Sequence, residues 1–193
     1  MSQALSALRH LARCLVATGV LASAAAWCQG IEGTVVEVST GDTLTIIDGS
    51  RVRHKIRLAG IDAPESRQPF GPESRKGLAG LVLGRQVGIE RRKDDIYGRV
   101  VARVLVQPPD CAACPRNRDV ALAQLEAGLA WWFRDERREQ SLEEQGYYEY
   151  AEFDARARRI GLWRDAAPIP PWDWRKRQNK PVLTRRQPYS AQG

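Results

Sequence analysis

Beyond its first thirty residues the chain alternates apolar or β-branched positions with polar ones. Residues 32–38 (E-G-T-V-V-E-V) and 43–47 (T-L-T-I-I) have the period of two of half-buried strands, and Gly41 lies in the gap between them, which predicts a hairpin. Asp48-Gly49-Ser50 is a second turn signal, with Val52 to Ile61 following as a third strand. The period then lengthens. Pro72 and Glu73 suit the first turn of a helix running to about Leu83, with Leu78, Leu81 and Val82 as its apolar face and Gly84 as its stop. Gln86–Arg91 and Arg99–Val106 read as two further strands, and Asp119 to Gly128 as a helix. After the aromatic run Trp131-Trp132-Phe133, expected to be core or lid packing, a long helix is predicted from Glu139 to Ile160. Its buried face is read as Tyr147, Tyr150, Phe153, Ala157 and Ile160. Beyond Arg164, Pro168, Pro170 and Pro171 interrupt any period, so residues 164–193 read as an irregular tail. The pattern as a whole is that of a small α+β domain.

Composition narrows the class. With 193 residues and 43% hydrophobic content there is enough apolar surface for one principal domain. Residues 1–26 carry Arg9, His10 and Arg13, then an apolar run from Leu15 to Ala25, then small residues at Ala24-Ala25-Ala26. That is the order of a secretory signal, and the run is shorter than the ~20 residues a membrane span needs. Export to a secreted or periplasmic location is therefore expected. Cleavage there takes two positive charges and no acid from a net charge of +7, leaving +5. A basic chain favours polyanionic partners. The tail adds to this, with Arg175, Lys176, Arg177, Lys180, Arg185 and Arg186 and no acid after Asp173. It reads either as a solubilising terminus or as a nonspecific phosphate contact.

Cysteine and histidine usage excludes several chemistries. Cys14 falls in the signal and Cys28 is left over, while Cys111 and Cys114 stand among Pro108, Pro109 and Pro115. One C-x-x-C without a second pair or a histidine cluster disfavours zinc, and in an exported chain a local disulfide is expected. Only His54 survives removal of the signal, so chemistry built on histidine is disfavoured too. Neither a Walker loop nor a dinucleotide-binding glycine fingerprint is present.

The stretch richest in chemistry is Ile56–Glu65, I-R-L-A-G-I-D-A-P-E, where a strand passes into a turn fixed by proline. Pro64 biases Ala63 towards an extended backbone, which sets the Ala63 carbonyl beside the Asp62 carboxylate as two oxygens ready for a hard cation. Alone, such a cluster is commonly a solvated, salt-bridging turn. Here a third carboxylate recurs in Thr40-Gly41-Asp42-Thr43 and a second arginine in Asp95-Ile96-Tyr97-Gly98-Arg99.

Taken together, G-D-T at 41–43, R-L-A-G-I-D-A-P-E at 57–65, G-P-E at 71–73 and D-I-Y-G-R at 95–99 resemble, in order and spacing, the staphylococcal nuclease (thermonuclease) family. The resemblance runs from about Glu32 to Trp163, within a domain placed at residues 27–163. It implies a five-stranded Greek-key barrel of the oligonucleotide-binding type with about three helices packed on it. It also implies a calcium ion held by Asp42, Asp62 and the Ala63 carbonyl, Glu65 as activator of the attacking water, and Arg57 and Arg99 as a phosphate clamp, with Tyr97 as a further substrate contact. The activity so implied is hydrolysis of DNA and RNA with little sequence specificity, leaving 3′-phosphates, by a monomer. The alternative is a noncatalytic nucleic-acid-binding barrel of the cell envelope, and the presence of all five charged side chains argues against it. Two positions depart from the family pattern. Thr40 stands where a further aspartate is common, which predicts weaker calcium binding, and the Glu65–Gly71 loop is short.

Overall fold

The computed structural model describes residues 31–111 and 113–179. The stretch read as a secretory signal, Cys28, and Lys180, Arg185 and Arg186 lie outside the described residues. Strands β1 (Ile31–Val38), β2 (Thr43–Asp48) and β3 (Arg53–Leu58) form an antiparallel meander. A two-residue strand, β4 (Ile61–Asp62), and helix α1 (Gly71–Val82) follow, then β5 (Gln86–Asp94) and β6 (Val100–Val106). β5 pairs antiparallel with both β1 and β6, and β6 runs parallel to β3, so the five long strands close on themselves. This is the expected α+β barrel. Its interior is filled by alternate residues of every strand, among them Val35, Leu44, Ile46, Ile56, Leu58, Val87, Ile89, Ala102 and Val104, all buried.

The third strand ends earlier than its alternation predicts. Gly60 takes a positive φ of 72°, and a β-carbon there would lie 2.6 Å from the Gln140 side chain, so the chain turns out of the barrel at a point only glycine suits. Ile61 and Asp62 then pair with β8 (Trp131–Trp132) in a separate small sheet. Trp131 and Trp132 are buried, as expected of core packing.

Four α-helices occur among the described residues, one more than expected. The short strand β7 (Arg118–Asp119) leads into α2 (Val120–Glu126), which Asp119 caps by accepting from the amides of Ala121 and Leu122. α3 covers Leu142–Ala157 rather than 139–160, because a 3₁₀ turn at Arg134–Glu139 precedes it and Ser141 with Glu144 forms a capping box that fixes its start. Its buried face also differs from the expected one. Tyr147, Tyr150 and Phe153 are exposed, while Tyr148, Ala151, Glu152 and Ala155 are buried. Both stripes satisfy a spacing of three or four. The small alanines let the helix approach closely, Tyr148 donates its hydroxyl hydrogen to Asp119, and Glu152 accepts from the Trp132 amide and Arg134.

The tail expected after Arg164 is partly ordered. Helix α4 (Pro171–Gln178) begins with proline at its first position and packs Trp172 against Trp131 and Phe133, ring centroids 5.8 and 5.6 Å apart. Cys111 and Cys114 are joined by a disulfide. No helix among the described residues is long and apolar enough to cross a membrane.

Candidate active site

A cleft of about 560 Å³ opens at one end of the barrel, and every residue singled out from the sequence for chemistry lines it: Asp42, Arg57, Asp62, Ala63, Glu65, Tyr97 and Arg99. Strand pairing explains the convergence. The β2–β3 register sets Thr43 opposite Arg57, and the Leu58 amide donates to the Asp42 carbonyl at 2.8 Å, so Asp42 comes level with the end of β3. The parallel β3–β6 register sets Arg57 opposite Val101, which brings Arg99, just ahead of β6, to the same mouth. His54 instead pairs with Asp48 at 2.7 Å and does not line the cleft.

The two aspartates are adjacent and nearly dry. Asp42 Oδ1 accepts from the hydroxyls of Thr40 (2.7 Å) and Thr43 (2.9 Å), and Oδ2 from the Ala63 amide (3.1 Å). Thr40 thus supplies a hydroxyl donor where the family pattern has a negative charge. Burial pushes the Asp62 carboxyl above its ordinary range and the nearby Asp42 charge adds to this, while Arg175 and Arg57 oppose the rise without cancelling it. Two buried carboxylates that repel each other are stabilised by a cation between them. No group of three or more His, Cys, Asp and Glu among the described residues has the geometry of a metal cluster. The groups at this place that could hold an ion are two carboxylates and the Ala63 carbonyl, all of them oxygen donors of the kind a hard cation takes.

A network reaches each arginine. Arg57, with little of its side chain exposed, donates to the Ile61 carbonyl (3.2 Å) and to Glu136 (3.3 Å), and lies 4.0 Å from Asp62 and 5.9 Å from the centre of the Phe133 ring. Arg99 donates through Nε to Asp95 at 2.6 Å, and its guanidinium lies 5.4 Å from the centre of the Tyr97 ring. The turn that holds Asp95 also shapes its acidity. Burial raises the carboxyl, but the Arg99 amide and guanidinium and the Tyr97 amide outweigh it and leave it below the usual aspartate value.

Three contributors escape sequence reasoning. Glu136, on the 3₁₀ turn, bonds Arg57 and the Gly60 amide across 76 or more residues of chain. Gln124 of α2 is completely buried and donates to the carbonyls of Gly41 (2.8 Å) and Ser74 (3.1 Å), tying the G-D-T turn to α1. Gly41 must be glycine for that contact, since a β-carbon would fall 1.8 Å from the Ser74 hydroxyl. The third is Arg175, expected to lie in a tail without carboxylate partners. It grips Asp62 with two nitrogens (3.2 and 2.7 Å) and Glu65 with one (2.7 Å), because α4 folds back over the cleft. One arginine among several basic residues of a proline-interrupted segment gives no sequence signal of such a contact.

Comparison with known proteins identifies the family. A family model described as staphylococcal nuclease homologue matches residues 55–165, more than half of the chain. The chain is 34% identical to a protein named micrococcal nuclease from Shigella flexneri, over 91% of this chain and 96% of that one. It is 35% identical to an uncharacterized endonuclease from Escherichia coli over 78% and 89% of the two chains, and 37% identical to protein ParB from the same organism over 86% and 92%. Matches of this extent, on a closed barrel with helices packed on it, establish that the chain belongs to the staphylococcal nuclease family and is a nuclease.

Proposed function

We propose that this nuclease is a calcium-dependent phosphodiesterase that hydrolyses DNA and RNA with little sequence specificity in a secreted or periplasmic setting. The observation that carries the proposal is the meeting of Asp42, Asp62, Glu65, Arg57 and Arg99, from four separate segments, in one cleft. Asp42, Asp62 and the Ala63 carbonyl would hold the ion, which when bound supplies Lewis-acid charge to a phosphoryl oxygen. Glu65, partly exposed at the cleft, accepts the proton of the attacking water. Arg57 and Arg99 donate paired N–H groups to the phosphate oxygens as negative charge grows on them, a task for which the planar guanidinium is matched. Tyr97 is 77% exposed beside Arg99 and offers its ring to a sugar or base without reading base edges. Weak sequence preference is in keeping with a cleft whose charged groups address the phosphate. The Cys111–Cys114 disulfide supports an oxidising compartment.

Purified protein incubated with plasmid and with single-stranded RNA, in calcium or in chelator, tests this directly. Calcium-dependent loss of both substrates, with 3′-phosphate ends on the products, is expected. Folded protein that binds DNA and leaves it intact at millimolar calcium refutes the proposal.

A further inference from the structure

We propose that Arg175 sets the cation affinity of this site by competing with the ion for Asp62 and Glu65, so that metal binding requires helix α4 to release them. The inference rests on the metal role proposed above for Asp62. The three hydrogen bonds donated by Arg175 use both oxygens of Asp62 and one of Glu65, the groups assigned to the ion and to the water. A guanidinium fixed there and a divalent cation on Asp62 place like charges within a few ångströms of each other at a nearly dry carboxylate. Such repulsion is large wherever water screens poorly. Arg57 stands off at 4.0 Å, whereas the Arg175 fork takes both Asp62 oxygens, so the closed latch and an ion on Asp62 exclude one another.

The helix that carries Arg175 is held from the side and not by that residue. Trp172 packs on Trp131 and Phe133, and Gln68 of the loop after Glu65 donates to the Ile169 carbonyl at 2.5 Å, which seats the segment leading into α4. Pro171 is buried, whereas the Arg175 side chain remains 44% exposed. Its position over the cleft is set by the two acids together with the anchor that seats the helix. The arm thus has an apolar anchor at its start and a charged latch one turn later, and the latch opens without unpacking the barrel.

Titration calorimetry of calcium chloride into the full chain, without nucleic acid, reads the affinity itself. If the latch is closed in about nine molecules of ten, the apparent affinity is lowered about tenfold, so Arg175→Ala should bind calcium about tenfold more tightly than the parent. Arg175→Lys, which keeps a charge but loses the fork, should fall between them. Trp172→Ala, which loosens the anchor and leaves Arg175 in place, should also tighten binding, and thermal melting of each variant confirms that it is folded. Equal affinities in the parent and Arg175→Ala overturn this proposal alone, as does weaker binding by Arg175→Ala, which would make Arg175 a helper of the site. Absence of calcium binding in the parent and in Arg175→Ala alike removes the metal reading on which the proposal stands.

Discussion

Asp119 is where the fold beneath the site is most open to a quantitative test. Its carboxylate is buried and accepts four hydrogen bonds: the Ala121 and Leu122 amides (2.9 and 3.1 Å), Arg103 Nε (2.8 Å) and the Tyr148 hydroxyl (3.0 Å). Asp119→Ala removes the cap of α2, at a cost of about 1 kcal/mol. It strands the buried Tyr148 hydroxyl, at a cost of about 2 kcal/mol. Arg103 keeps Glu90 (3.3 Å) and Glu144 (3.5 Å) as partners, so its loss stays near 1 kcal/mol as for a partly exposed pair. The total of about 4 kcal/mol corresponds to a fall in melting temperature of roughly 8–16 °C for a chain of this size. Asp119→Asn keeps the cap, since asparagine caps as well as aspartate, and should lose about half as much. Denaturant melts of the parent, both variants, Tyr148→Phe and the double variant Asp119→Ala/Tyr148→Phe give the coupling energy directly. Activity should fall as well, because Tyr148 lies against Gly60 in the turn between Arg57 and Asp62. An Asp119→Ala variant that melts within about 2 °C of the parent, or shows no coupling to Tyr148, refutes this account.

The site predictions separate the roles of its groups. Glu65→Gln should lower turnover by orders of magnitude while DNA affinity measured by fluorescence anisotropy stays within a few-fold, as befits a group acting in the transition state. Asp42→Asn should raise the calcium needed for half-maximal cleavage, with part of the rate returning at high calcium. Arg57→Lys keeps the charge but cannot span Glu136, the Ile61 carbonyl and a phosphate at once, so single-turnover cleavage should be strongly impaired even at saturating substrate. Because Asp95 titrates below its ordinary value of 3.8, its support of Arg99 is present above that pH and is lost as pH falls through the lowered value. Asp95→Asn should remove this acid-limb contribution to stability, and an unchanged acid melt would show that the carboxylate gives none.

Much of the molecule is legible along the chain because the interactions responsible are local. Alternation of Val35, Leu44, Ile46, Ile56 and Leu58 with polar neighbours follows from a pleated strand with one face buried, and the site motifs are short runs whose residues stay neighbours in space. What tertiary structure alone decided depends on contacts between distant segments. The strand through Arg57 breaks at Gly60 because Gln140, Glu136 and Phe133, all distant in sequence, come to meet the turn. The face of α3 that packs was undecidable from spacing, since stripes through Tyr147 and Tyr148 both keep helical period, and the Tyr148 hydroxyl needed a partner that only the fold supplied. The segment after Arg164 lacked a period because its order comes from one tryptophan packed on Trp131 and Phe133 and one arginine drawn to two acids of the cleft. Long-range packing and charge pairing leave no periodic trace in sequence, and this is why Arg175 reached the cleft unannounced.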